Sequence, residues 1–267
     1  MTSKRTVIES DKLPKVKAPF SYGVKAGGWV FTAGMVGLDP TGSLVGTTPG
    51  RPDITAQTRQ TLQGLKTVLE ELGVSLESVA KVHGYTPDFR YFDQFNETYA
   101  EFFKPPYPAL ATHGKGLVLR DAIIEVDAIA TVSGTPSEVR SPKLADWPWP
   151  SAQGGTQVED VMFTSGHVSR GQNGQLFARG DLRAQTEMAL DNLGAALEAG
   201  GFDFSDVIMI NATVPDWYGF QKYNDIFAKY FREPYEARAT IQGNIEMEDM
   251  LIQFEAVAAR GETKRII

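Results

Sequence analysis

Ten residues written twice constrain this chain more than any other feature. Phe103-Lys104-Pro105-Pro106-Tyr107-Pro108-Ala109-Leu110-Ala111-Thr112 returns as Phe231-Arg232-Glu233-Pro234-Tyr235-Glu236-Ala237-Arg238-Ala239-Thr240, an offset of 128 residues from Phe103 to Phe231. The same offset runs without a gap from Asp53–Ala130 onto Asp181–Ala258, and it carries Ala56-Gln57-Thr58 onto Ala184-Gln185-Thr186. Upstream, Phe31-Thr32-Ala33-Gly34 falls on Phe163-Thr164-Ser165-Gly166 at an offset of 132, so the second copy is four residues shorter in the loop between. Self-similarity of this kind sets the architecture before any local reading does. The chain is two tandem copies of one small domain.

The expected boundaries are 16–133 for copy one, a Pro-rich linker over 134–150, and 151–260 for copy two. With 42% hydrophobic residues among 267, each half can build its own core. A formal net charge of −7 argues against a nucleic-acid partner, which needs a basic face to displace counterions. No apolar run reaches the length of a membrane span. The absence of cysteine removes disulfides, thiolate catalysis and thiolate-bound metal. A cytoplasmic protein without a leader is the expectation.

Local patterns repeat with the copies. Residues 1–17 read as an irregular tail, and Trp29–Gly34 as a buried strand. Asp53 is a helix N-cap. Thr58, Leu62, Leu65, Leu69 and Leu72 then form one helical stripe that Gly73 ends. Strands follow at Val79–Tyr85, Pro108–Leu117 and Ala122–Val132, with a second helix over Phe92–Phe103. Copy two keeps the order, with its stripe at Thr186, Leu190, Leu193 and Leu197. Its last two strands, Glu236–Asn244 and Met250–Arg260, are expected to pair as an antiparallel hairpin. The fold class is α+β, β-β-α-β-α-β-β in each copy, with both helices on one sheet face and the other face awaiting a partner.

Both halves resemble the Rid (reactive intermediate deaminase, YjgF) family. The resemblance rests on Val30-Phe31-Thr32-Ala33-Gly34, Ala56-Gln57-Thr58, Phe95-Asn96-Glu97-Thr98-Tyr99-Ala100-Glu101-Phe102-Phe103, Pro108-Ala109 and Ile124-Glu125-Val126-Asp127-Ala128-Ile129-Ala130. It implies chorismate-mutase-like domains that pack in threes as trimeric barrels, with ligand sites in clefts between domains. Three two-domain chains would be the simplest homo-oligomer. It also implies hydrolysis of 2-imino or 2-enamino acids to 2-oxo acids and ammonia, with neither metal nor cofactor. In the family an Arg after Pro-Ala grips the substrate carboxylate, and a Glu fifteen residues later positions the attacking water. Guanidinium offers a carboxylate two parallel hydrogen bonds, and a carboxylate can deprotonate water.

The two copies divide that pair. Copy one has Leu110 at the Arg position and keeps Glu125; copy two has Arg238 and carries Gln253 at the Glu position. The other pocket positions implied by the resemblance are Phe20, Ala33, Gly34, Asn96 and Thr112 in copy one. In copy two they are Ala152, Ser165, Gly166, Asn224 and Thr240. His167 follows Ser165-Gly166 and is a candidate base. Each assignment has a plainer competitor. Arg238 could pair with a surface carboxylate, Glu125 and Asp127 could mark a solvated strand face, and Asn96 and Asn224 could serve local hydrogen bonds. Gly34 and Gly166 could simply permit close approach, Phe20 could plug a barrel end, and His167 could be packing. The spacing of His83, His113 and His167 does not suggest a metal site.

Three functions follow. One is a cofactor-free deaminase acting on a small carboxylate-bearing imine or enamine, with an aminomuconate-type intermediate as a variant substrate. Another is a non-catalytic protein that binds such a metabolite. The third and weakest is a ribonuclease. Within the first, Arg238 of copy two and Glu125 of copy one are expected to complete one mixed site.

Overall fold

The computed structural model describes residues 5–261 apart from Val16, Pro49 and Trp147. Val16, the expected first residue of copy one, and the first four residues of the tail lie outside the described residues. The chain divides into two compact units, 1–136 with 148–151, and 137–147 with 152–267. The first unit contains β1 (Thr6–Val7), β2 (Gly23–Ala26), β3 (Trp29–Thr32), β4 (Met35–Val36), α1 (Ile54–Glu71), β5 (Val79–Thr86), α2 (Phe92–Phe102), β6 (Ala109–Gly114) and β7 (Glu125–Thr131). The second repeats this order as β8 (Ser137–Val139), β9 (Gly155–Val158), β10 (Val161–Thr164), β11 (His167–Val168), α3 (Leu182–Ala199), β12 (Val207–Val214), α4 (Phe220–Tyr230), β13 (Ala237–Gln242) and β14 (Gln253–Ala259).

The two sheets are copies of one another. One runs β1-β2-β3-β7-β5-β6 with β4 on β7; the other runs β8-β9-β10-β14-β12-β13 with β11 on β14. Each copy gains an edge strand over its sequence reading. Thr6 and Val7 pair with Lys25 and Val24, and Ser137–Val139 pair with Gln157–Gly155. The stretch read as a linker thus supplies a strand of the second sheet, while Trp149 meets Phe92 of the first unit edge-on at 5.6 Å. Edge strands of two or three residues are too short to leave a period in the sequence.

The helices form where their caps and stripes place them. Asp53 Oδ1 accepts from the Ala56 amide at 2.9 Å, and Asp181 Oδ1 accepts from Arg183 and Ala184. The leucines of both stripes are buried in their own unit's core, and Gly73 takes the left-handed conformation after α1. Trp29–Gly34 departs from its reading as one buried strand. β3 stops at Thr32, and Phe31 keeps 48% of its surface exposed.

The expected hairpin of copy two does not form. β13 pairs with β12 in parallel, and β14 pairs with β12 antiparallel, so β12 separates the two strands. A parallel neighbour requires a crossover, and α4 supplies it.

Candidate active site

The strand break after β3 builds the seat of Glu125. Pairing runs from Phe31 opposite Ile129 to Met35 opposite Val126. Between them Thr32 Oγ1 accepts the Ala128 amide at 2.9 Å, in place of the missing backbone carbonyl. Thr164 does the same for the Ala256 amide at 2.8 Å, so the repeated Phe-Thr motif is a ladder repair. The freed turn brings Gly34 under the Glu125 carboxylate. A Cβ on Gly34 would stand 2.0 Å from Glu125 Oε1, and one on Gly166 would stand 3.0 Å from Gln253 Cδ.

The repeated glutamine of Ala-Gln-Thr fixes the other side of that seat. Gln57, fully buried on α1, donates through Nε2 to the Asp121 carbonyl at 3.1 Å and accepts the Ile123 amide on Oε1 at 3.0 Å. This clamps the loop that delivers Glu125 to the start of β7. Gln185 holds Asp249 and Leu251 in the same way ahead of Gln253. Asp121 and Asp249 both take positive φ, which the clamp stabilises.

Glu125 is half-buried, and burial, with Asp127 adding to it, holds its carboxyl above the usual carboxylate range. Asp127 is committed elsewhere. Its Oδ1 lies 2.7 Å from His83 Nδ1, and its Oδ2 accepts from the Tyr85 hydroxyl at 3.0 Å. These alternating carboxylates therefore form a structured polar patch rather than a solvated face. The raised value has a stability consequence. Folded protein binds this proton more tightly than the unfolded chain, so stability falls as pH rises from the unfolded value through the folded one. Glu125→Gln is accordingly expected to raise the melting temperature at pH 7.5, with the gain vanishing in acid below the usual carboxylate range. Thermal melts of both proteins at the two pH values check this.

Gly34→Ala is expected to push the carboxylate off its seat. Deamination should then fall to within about tenfold of the Glu125→Gln level, while Gly166→Ala, facing a looser neutral amide, should retain most of it. Ammonia-release rates of the two variants, with circular dichroism to confirm folding, provide the check.

Arg238 occupies a different setting. Its guanidinium carbon lies 4.6 Å from the centre of the Phe227 ring and 5.5 Å from that of Tyr223, both on α4. Among the described residues no carboxylate pairs with it, against the surface-ion-pair reading. It opens onto a cavity of about 580 Å³ that Asn224, Tyr235 and Glu236 also line. Thr240 Oγ1 and the Tyr223 hydroxyl are 2.8 Å apart beside it. Tyr223 went unnoticed in the sequence because it sits on the apolar stripe of α4, where copy one has Phe95. Its hydroxyl was the available signal.

Neither domain brings the Arg and Glu positions together. Arg238 stands opposite Ile210, which has Ala256 on its other side, whereas Gln253 stands opposite Thr213. Three residues along a strand reverse the face, so the two positions lie on opposite sides of the sheet. They are also about 10 Å apart along the strands. Leu110 and Glu125 show the same arrangement through Val82 and Tyr85. The separation expected from a hairpin is therefore present, for a different reason.

The remaining candidates divide. Asn224 and Thr240 belong to the Arg238 setting. Asn96 is buried and donates Nδ2 to the Phe92 carbonyl at 2.8 Å, a local helical bond. Ser165 Oγ donates to the Ala152 carbonyl at 2.6 Å, closing the turn before β11. His167, at the start of β11, donates Nε2 to the Gly154 carbonyl at 3.0 Å, so that nitrogen carries the proton. Phe20 is half exposed, edge-on to Tyr22 at 5.5 Å.

Comparison with known proteins matches this doubled geometry to a family. The model described as Endoribonuclease L-PSP matches residues 10–132 and again residues 150–260. The chain belongs to this family, with two copies of its domain. A RutC family protein of Pyrococcus horikoshii is 39% identical over 127 residues, covering 47% of this chain and 97% of the relative. Reactive Intermediate Deaminase A, chloroplastic, of Arabidopsis thaliana is 33% identical over 130 residues, covering 48% of this chain and 67% of the relative. A 2-iminobutanoate/2-iminopropanoate deaminase of Dermatophagoides farinae is 27% identical over 130 residues, covering 49% of this chain and 98% of the relative. The chain is thus a tandem Rid protein, and each unit is a complete Rid-type α+β domain. Among its described residues no helix is long and apolar enough to cross a membrane.

Proposed function

We propose that this tandem Rid protein hydrolyses a carboxylate-bearing imine or enamine to a 2-oxo acid and ammonia. The observation that carries the reading is Arg238, a guanidinium stacked on Phe227 and open to a cavity, with no described carboxylate paired to it. Such a group is poised for a substrate carboxylate. Glu125 supplies the complementary chemistry. Held over Gly34, its carboxylate takes a proton from water as the oxygen adds to the C=N carbon, which an enamine presents once its β-carbon takes up a proton and the nitrogen gives one up. The proton passes to the nitrogen, the resulting carbinolamine expels ammonia, and the C=O bond forms. The iminium carbon is electrophilic by itself, so the step needs no cofactor. Turnover requires Arg238 and Glu125 on the same substrate, although they come from different copies.

Naming among relatives supports the reaction class, since two of them are called deaminases. The substrate is a 2-imino acid or an aminomuconate-type enamine. A ribonuclease is disfavoured by the net charge of −7 and by the histidines, since His83 is bound to Asp127 and His167 to a carbonyl. The competing reading is a metabolite-binding protein, which the division of the Arg and Glu positions favours. Ammonia released from imino acids generated in situ by an amino-acid oxidase separates the two. A rate above the spontaneous hydrolysis supports the enzyme, and binding without acceleration supports the alternative.

A further inference from the structure

The Arg238 cavity holds a second charge that carboxylate recognition does not use. Glu236 lines the same cavity, two residues before Arg238. The two are not paired with each other, and no described residue forms an ion pair with either. Both nonetheless act on one point. Burial raises the pKa of the Tyr223 hydroxyl; the Thr240 hydrogen bond and the charge of Arg238 lower it, and the charge of Glu236 raises it. A cavity wall with two opposite charges that do not pair with each other is complementary to a ligand that carries both signs. Copy one loses the two together, with Pro108 at the position of Glu236 and Leu110 at that of Arg238. The neighbouring acid behaves differently. Asp225 also lines the cavity but is bound by Arg183 at 2.8 Å, which leaves Glu236 as the acid available to a ligand.

Size leaves room for a second group on the ligand. A water molecule occupies about 30 Å³ of liquid, and a carboxylate with its reacting carbon only a few times that. A cavity of about 580 Å³ has room for a side chain beyond them. Glu125 already supplies the carboxylate at the C=N group in the deaminase reading, so Glu236 suits a cation remote from the reacting carbon. We propose that the copy-two cavity selects substrates whose side chain ends in a cationic group, which Glu236 recognises while Arg238 holds the carboxylate. This deepens the deaminase reading and rests on it.

Arginine and citrulline test the idea. They are near-isosteric, unreactive here, identical at the α-carbon and different only in side-chain charge. Calorimetric binding to the full-length protein should show arginine tighter than citrulline by about tenfold. Glu236→Gln should equalise the two ligands, and Arg238→Ala should weaken both. Equal affinities in the wild type, or a preference that persists in Glu236→Gln, overturns the proposal and leaves the carboxylate grip standing. No binding of either ligand at millimolar concentration also overturns it, while ammonia release from other imino acids would keep the deaminase reading. If Arg238→Ala changes neither ligand, the carboxylate grip fails and the proposal with it, while ammonia release from imino acids decides the deaminase reading separately.

Discussion

Arg238→Ala is expected to lower kcat/KM for imine hydrolysis by roughly 10²-fold or more, the scale at which a misplaced substrate loses its near-attack geometry. The guanidinium provides both charge and direction. Its carbon lies 4.6 Å from the Phe227 ring centre, and a planar guanidinium fork meets a carboxylate with two parallel bonds. Arg238→Lys keeps the charge and loses the fork, so it should fall between the wild type and alanine. Phe227→Leu removes the platform and should raise KM more than it lowers kcat. Steady-state ammonia release across the three variants distinguishes grip from mere charge. A folded Arg238→Ala protein with wild-type kinetics would assign the carboxylate to another group.

Glu125→Gln should cost about 10²–10⁴-fold in kcat, the usual range for removing a general base. The substitution is nearly isosteric, and copy two already carries Gln253 over Gly166 in the equivalent position. The seat accepts an amide, so loss of activity would report chemistry rather than collapse. The acid limb of the kcat/KM profile in the wild type should lie above the usual carboxylate range, because burial, reinforced by Asp127, raises the Glu125 carboxyl. That limb should disappear in the glutamine variant. A glutamine protein that is more stable at neutral pH and inactive would show a site maintained at a stability cost.

The repeat, the four helices and the Asp53 cap of α1 were legible because a 3.6-residue stripe and an Asp N-cap are local signals. Strand pairing was not. Glu236–Asn244 and Met250–Arg260 follow one another and look like a hairpin, yet the parallel crossover through α4 puts β12 between them. Sequence neighbours carry no record of which strand a third one separates. Thr32 and Gln57 were visible as repeated residues, but their work is done across the fold on Ala128, Asp121 and Ile123. Periodicity does not register such contacts. Glu125 and Arg238 were found through the motif that surrounds them. Tyr223 and Glu236 were not, since each departs from what its partner copy carries at that place.

The most direct measurement is ammonia release by four proteins: wild type, Arg238→Ala, Glu125→Gln and the double variant. If the arginine of copy two and the glutamate of copy one serve one substrate, the second substitution has little left to remove. The double variant should then be within a few-fold of the worse single one, as for groups that act as a unit. Losses that multiply, or a Glu125→Gln protein with wild-type turnover, would contradict it.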